Sequence, residues 1–263
     1  MPFDVVAWYQ DTQPTALSPI DAVEDDIYRT SGDDIYVKPR APFLAGFMYQ
    51  AISTPKYAEL RQPSLKIPYR FYRSYLLGSN TFGSAFYNLF AKPFPLYKGE
   101  KLQAHCMNAT SEIQMVVAML SDGVAKIADL ENVRPTHNIT GHADQALTAG
   151  SWTHCAMTWD QDLPKGRYGI VGMLGGTYKA ATPTTAVARL KLLDTTWRPG
   201  CGLNMTVADK TELLHQGYSF AQGIQWPLMR EISFAHDQMP NVEILAGDAN
   251  TDHIIELMLQ KIA

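Results

Sequence analysis

The segment from Thr136 to Asp144 holds the residues best suited to binding a metal ion. His137 and His142 are five positions apart, and Asp144 follows His142 by two. Two imidazoles and a carboxylate could supply three ligands to a cation such as zinc. The spacing fits neither a helical His-Glu-x-x-His motif nor the His-x-His pair of a cupin-type site. We therefore interpret the segment as a polar loop and expect no metal.

Paired carboxylates would carry a second kind of chemistry. A β-sandwich glycosidase needs one carboxyl group as acid and a facing one as nucleophile or base. Five acids lie at or beside expected strands: Glu112, Asp160, Glu231, Glu243 and Glu256. No pattern among them places several on one face of a sheet. Hydrolysis is therefore an alternative function here, with Asp160 or Glu231 as its catalytic residue.

The sequence has no motif for nucleophilic catalysis or nucleotide binding. It contains no Gly-x-Ser-x-Gly, no P-loop and no Gly-x-Gly-x-x-Gly. Its three cysteines, Cys106, Cys155 and Cys201, form no Cys-x-x-Cys pair, and we expect buried free thiols. We expect no catalytic residue and no cofactor, and thus a protein that is not an enzyme.

Composition sets the limits within which any site must be positioned. The 263 residues are 46% hydrophobic and 18% charged, enough to form a core in one large or two small domains. A net charge of −4 gives no reason to expect a protein that coats nucleic acid. The chain begins without the charged and apolar regions of a signal peptide, and its longest uncharged stretch, 74–91, is polar. We expect neither a signal peptide nor a transmembrane segment.

Charge is unevenly distributed near the N-terminus. Residues 1–34 carry eight acids and one base, whereas residues 35–73 carry seven bases and one acid. Such segments can fold back on each other or meet the complementary segment of a neighbouring subunit. They can also be two unrelated solvated surfaces. The sequence leaves these three alternatives open.

The pattern of apolar residues predicts an all-β protein. Frequent prolines in residues 1–100 favour an N-terminal arm and an extended segment with short strands. Residues 101–263 alternate strand-length apolar runs with turn signals, which predicts an antiparallel β-sandwich, as a jelly roll. A single jelly roll is favoured and a double one is possible. The expected strands are 102–107, 113–120, 152–159, 167–173, 186–193, 242–245 and 254–259. The last segment, 252–263, fits a helix or a strand, and we favour the strand.

A segment rich in basic and aromatic residues supplies the candidate contact residues. Cations interleaved with aromatic rings can contact phosphates and stack on bases, or can pack within a protein. We expect contacts with another subunit, a nucleic acid or an anionic lipid from eight residues: Arg61, Lys66, Tyr69, Arg70, Phe71, Tyr72, Arg73 and Phe86.

Several strand-and-turn runs resemble the jelly-roll capsid proteins of icosahedral bacteriophages and related viruses. The runs are 63–66, 99–102, 163–173, 186–192, 197–201 and 242–245. The resemblance implies a coat subunit that assembles through sandwich edges, loops and terminal arms. Its partners would be copies of itself and other virion proteins, and its location the virion, after synthesis in the host cytoplasm.

A lectin-like β-sandwich is the main alternative to a coat subunit. Exposed tryptophans would then stack on sugar rings. The candidates are Trp152, Trp159, Trp197 and Trp226. A β-sandwich glycoside hydrolase is the third possibility.

Overall fold

A computed structural model describes most of the chain. The described residues are 2–12, 15–24, 28, 30–51, 55–72, 84–108, 113–123, 133–178, 186–206, 224–225 and 231–263. Within them, positions 50–51, 55–56, 70–72, 84–88, 108, 204–206 and 224–225 are described by backbone only. None of these ranges contains a helix that could cross a membrane.

The described residues form 23 strands and no helix, which confirms the all-β prediction. The first twelve are β1 (Phe3–Gln10), β2 (Ser18–Pro19), β3 (Asp21–Ala22), β4 (Thr30–Ser31), β5 (Asp34–Tyr36), β6 (Phe43–Ala51), β7 (Pro55–Arg61), β8 (Tyr69–Tyr72), β9 (Ser84–Asn88), β10 (Phe94–Pro95), β11 (Lys101–Asn108) and β12 (Gln114–Ser121). The others are β13 (His137–Asp144), β14 (Thr153–Cys155), β15 (Thr158–Trp159), β16 (Arg167–Tyr178), β17 (Ala186–Lys191), β18 (Gly200–Gly202), β19 (Asn204–Thr206), β20 (Ile224–Gln225), β21 (Ser233–Ala235), β22 (Asn241–Ala246) and β23 (Asp252–Lys261).

These strands pair into four sheets. Sheet A has the order β10-β6-β12-β1-β3, with β9 also on β6, and sheet B the order β4-β5-β11-β7-β8, with β2 on β11. Sheet C has the order β15-β13-β23-β16-β19, with β20 and β21 also on β16, and sheet D the order β14-β22-β17-β18. The described pairs are antiparallel except β16 with β19.

Strand β12 shows how sheet A serves two cores. All eight of its residues are buried between β1 and β6. Successive side chains of a strand point to opposite faces. Val117 accordingly joins one apolar cluster, and Val116 and Leu120 join the other. A strand buried on both faces has a continuous apolar sequence rather than an alternating one.

The two apolar clusters divide the molecule unequally. The smaller core lies between sheet B and one face of sheet A, where Trp8, Leu60 and Leu102 meet. The larger core combines the other face of sheet A with sheets C and D, and includes Val5 and Leu245. Sheet A therefore joins the first half of the chain (β1–β12) to the second half (β13–β23). The arrangement is a β-sandwich in which two cores share one sheet.

The expected N-terminal arm is not confirmed. Strand β1 is a buried strand of sheet A, paired along its whole length with β12. Residues 1–100, expected as arm and extended segment, supply ten of the strands of sheets A and B. Strands β11 and β12, grouped by sequence with residues 101–263, pair with these earlier strands. The side chains of β1 are covered on one face by sheet B, as at Trp8, and on the other by sheets C and D, as at Val5.

The strand predictions in the second half agree with the structure at most positions. The C-terminal segment is strand β23, ten residues long. The expected strand 152–159 is divided into β14, which pairs with β22 in sheet D, and β15, which pairs with β13 in sheet C. The chain crosses from one sheet to the other within this run.

Candidate functional site

An open groove lies where β7 connects to β8, within the basic and aromatic segment. Its volume is about 670 Å³, within the range of protein ligand sites. The lining residues are Ser64, Leu65, Lys66, Ile67, Pro68, Tyr69, Phe94 and Tyr97. Ile67 is 78% exposed and Tyr97 is 47% exposed. The groove thus presents apolar surface to solvent beside one ammonium group, that of Lys66.

Hydrogen bonds fix both walls of the groove. Gln62 bonds twice to Tyr97: its Nε2 donates to the carbonyl at 3.1 Å, and its Oε1 accepts from the backbone N–H at 2.9 Å. The carboxylate of Glu100 accepts from the Ser64 backbone N–H at 3.0 Å and from its hydroxyl. The rings of Tyr69 and Phe94 pack with centroids 4.6 Å apart. The groove is therefore a preformed feature of the fold.

The eight predicted contact residues fall into three groups. Lys66 and Tyr69 line the groove. Arg61 instead pairs with buried Glu59, its Nε 2.5 Å from the carboxylate. The side chains of Arg70, Phe71 and Tyr72 in β8 and of Phe86 in β9 lie outside the described residues, as does all of Arg73. The structure therefore brings two of the eight together.

A second site that the sequence analysis missed is a buried group of charges between the two halves. Its centre is Glu24, whose side chain is fully buried. Glu24 Oε2 lies 2.8 Å from Arg189 Nη1 and 3.0 Å from Arg198 Nη2. Its Oε1 accepts a hydrogen bond from the Ala7 backbone N–H at 2.8 Å. One carboxylate of the first half thus holds two guanidinium groups of the second.

We call this group of charges the charge junction; it comprises Glu24, Arg189, Arg198, Glu243, Lys191 and Asp4. Two further contacts involve Glu243 and Trp152. Arg189 Nε donates to Glu243 Oε2 at 2.7 Å, and Lys191 Nζ lies 2.5 Å from the other Glu243 oxygen. The Arg189 guanidinium also lies over the ring of Trp152, 3.9 Å from its centroid. A cation over a tryptophan face is stabilised by the ring quadrupole.

Asp4 forms the other end of the charge junction. Its carboxylate accepts hydrogen bonds from the Tyr28 hydroxyl, from Arg40 Nη2 and from the Arg198 backbone N–H, each at 2.8 Å. Of the acidic segment, Asp4 and Glu24 therefore pair within the chain, one with Arg40 and the other with arginines far along the sequence. For these two residues the charge asymmetry reflects internal ion pairing.

Burial controls the protonation of two groups in the junction. Desolvation raises the pKa of Glu24 above its ordinary value, although Arg189 and Arg198 act to lower it. Desolvation, with the adjacent Asp4 carboxylate, raises the pKa of Tyr28 well above its ordinary value. Tyr28 is therefore a neutral hydrogen-bond donor at neutral pH.

One sequence signal could have indicated the charge junction. Arg189 interrupts the apolar run of β17, where a buried strand offers no solvent to a guanidinium group. Buried charges in proteins are paired. The run therefore requires an acidic partner, but the sequence does not show that Glu24, 165 positions earlier, supplies it.

The histidine and aspartate segment forms strand β13 rather than a loop. His137 and His142 are five positions apart, so their side chains lie on opposite faces of the strand. The His137 ring packs against Tyr168, whereas His142 Nε2 lies 3.9 Å from Asp252 Oδ1. Within the described ranges, no group of three or more possible ligands could hold a metal ion.

Of the candidate carboxylates, Asp160 and Glu256 lie near each other, and the other described ones are elsewhere. Glu243 is paired with Arg189 and Lys191, Glu231 is exposed, and Glu112 lies outside the described residues. Asp160 accepts a hydrogen bond from the Thr140 backbone N–H at 2.9 Å. Burial, followed by the charge of Asp160, raises the pKa of Glu256.

The cysteines are free and buried, as the sequence predicts. Burial raises the pKa of Cys155 to about 12, and raises the pKa values of Cys106 and Cys201 far above the ordinary value. The thiolate is the nucleophilic form of cysteine. These three thiols are therefore protonated at neutral pH.

The tryptophans considered for sugar stacking pack within the chain. Trp152 lies under Arg189 and donates to the Val23 carbonyl at 2.7 Å. Trp197 lies under Arg40, with 4.4 Å between the guanidinium carbon and the ring centroid. Trp159 covers Gly141 so closely that an added Cβ there would lie 2.8 Å from its ring. Trp226 lies outside the described residues.

No protein-family model matches this chain, and no curated protein matches it.

Proposed function

We propose that this chain is a self-assembling coat subunit of a viral shell, with a jelly-roll arrangement of its sheets. The observation that supports this proposal best is the shared sheet A, which unites two cores in one building block. A shell subunit must transmit contacts across its body without deforming. The charge junction holds the two halves together and therefore also favours a rigid subunit.

The groove also supports the proposal, because it offers an exposed apolar surface for contact with another copy. Exposed apolar residues beside a lysine suit contact with a protein surface. A shell subunit binds copies of itself through such patches, repeated by symmetry. Under this proposal the chain acts by binding, its partners are other copies and other virion proteins, and it is located in the virion.

Size-exclusion chromatography with light scattering tests the proposal on the full chain. We expect megadalton species that negative-stain microscopy resolves as shells, tubes or rings. A monomer or small oligomer at high protein concentration would contradict a coat function. Sugar-dependent tryptophan fluorescence of that small species would then favour the lectin alternative.

A further inference from the structure

Three large apolar side chains are exposed among the described residues, and they occur at two places. Ile67 and Tyr97 line the groove. Leu193 is 69% exposed in the turn that follows β17. One place is an open groove, and the other is a turn whose leucine side chain is exposed to solvent.

Two exposed charged side chains of opposite sign lie at these places, with Glu100 also beside the groove and Arg167 also beside the turn. Lys66 lines the groove and is exposed. Asp194, directly after Leu193, has a side chain that is 45% exposed. Its carboxylate already pairs with Arg167 at 2.9 Å, but an exposed ion pair of this kind is weak. Asp194 therefore remains open to a second cation.

We propose that the groove of one copy receives the Leu193 turn of a neighbouring copy. Leu193 packs against Ile67 and Tyr97, and Asp194 faces Lys66. Apolar burial supplies the attraction, and the charge pair sets the orientation. This inference rests on the proposed function and names the contact through which copies assemble.

Every copy carries both the groove and the turn. A contact between two different patches on identical chains repeats from copy to copy, and closes into rings or shells when the rotation permits. The residues that form the contact are therefore sufficient to join many copies without another protein.

Charge-swap variants test the contact in the full chain. We expect Leu193→Asp and Lys66→Glu each to reduce the assembled fraction at least tenfold by light scattering. The double variant Lys66→Glu with Asp194→Lys should recover assembly to within twofold of the original chain. Lys165→Glu, at another exposed position, is the matched control and should assemble normally. Normal assembly of Leu193→Asp or Lys66→Glu, or no recovery in the double variant, would overturn the inference.

Disulfide trapping tests the same contact whether or not shells form. A mixture of Ile67→Cys and Leu193→Cys chains should form a covalent dimer under mild oxidation. A mixture of Lys165→Cys and Leu193→Cys chains should not. Dimer in the first mixture, together with an original chain that forms no large particles, would contradict the coat function and retain the contact. Large particles without the dimer would assign the groove to another occupant and overturn the contact.

Discussion

At the scale of single residues, Arg189 is the most constrained side chain of the charge junction. Its guanidinium contacts two carboxylates from different halves and one tryptophan ring. The planar group of arginine has five donors, so it can bond two carboxylates and stack at the same time. Lysine has its donors on one nitrogen, so it lacks the planar group that reaches two carboxylates from separate nitrogens and stacks on the ring.

Replacing Arg189 by methionine should strongly destabilise the fold. Glu24 and Glu243 would keep their buried positions with one guanidinium fewer between them. We expect the free energy of unfolding at pH 7, measured by urea denaturation, to fall by about 3–5 kcal/mol. Lys165→Met, at an exposed position, should change it by less than about 0.5 kcal/mol.

The same variant should show a pH dependence of definite sign. Without Arg189 one of the charges that lower the pKa of Glu24 is gone, so burial raises that pKa further. A folded-state pKa above the unfolded one means that the folded state binds protons first as the pH falls. The destabilisation of Arg189→Met should therefore be smaller at pH 5 than at pH 7. An equal loss at both pH values would show that Glu24 keeps its charge.

At the scale of elements, the turn before β14 fixes how the halves meet. Gly150 has φ of +68°, and a Cβ built on it would lie 2.5 Å from the ring of Tyr9 in β1. Its backbone N–H donates to the Ala246 carbonyl at 2.9 Å, at the end of β22. Glycine is required here for both its conformation and the close approach of the ring.

Gly150→Ala should destabilise more than a glycine change that introduces only backbone strain. Gly99 has a similar φ of +76° but no atom within 4 Å of an added Cβ, so Gly99→Ala is the matched control. We expect about 1 kcal/mol of destabilisation for Gly99→Ala and at least about 2 kcal/mol for Gly150→Ala. Thermal unfolding of both variants measures the difference, and equal losses would show that Tyr9 moves aside.

Sequence patterns predicted the positions of single strands better than they predicted which strands pair. The run at 113–120 matched β12 to within one residue, since a strand buried on both faces has an apolar centre, here residues 115–120. The run 152–159 did not show that its strands belong to two sheets. Alternation of apolar and polar residues indicates which face of a strand is buried, but not which strand it pairs with. The composition of the basic and aromatic segment indicated Lys66 and Tyr69. It could not indicate Phe94 and Tyr97, which lie later in the chain and line the same groove only in the folded structure.

At the scale of the whole molecule, sheet A makes the two cores interdependent. Loss of sheets C and D would expose Val5 and Met115, and loss of sheet B would expose Trp8 and Val116. Neither half keeps its own core without sheet A. A chain whose halves share a layer in this way cannot unfold one half while keeping the other folded.

The molecule should therefore unfold in one cooperative transition. Calorimetry of the unassembled chain in low salt should give one peak, with a ratio of calorimetric to van't Hoff enthalpy of about 1. Two separated peaks would show that the cores are independent. Limited proteolysis below the transition should accordingly yield no stable half.

The pairing of β1 with β12 also has a consequence for synthesis. Trp8 is opposite Val116, and Asp4 bonds to Arg198, 194 positions later. At ribosomal rates of about 5–20 residues per second, roughly 10–40 s separate the synthesis of Asp4 from that of Arg198. Val116, opposite Trp8 in β12, follows Trp8 by 108 positions, so at the same rates the apolar strand β1 lacks this neighbour for roughly 5–22 s. The contacts of β1 are thus completed only after much of the later chain has been synthesised.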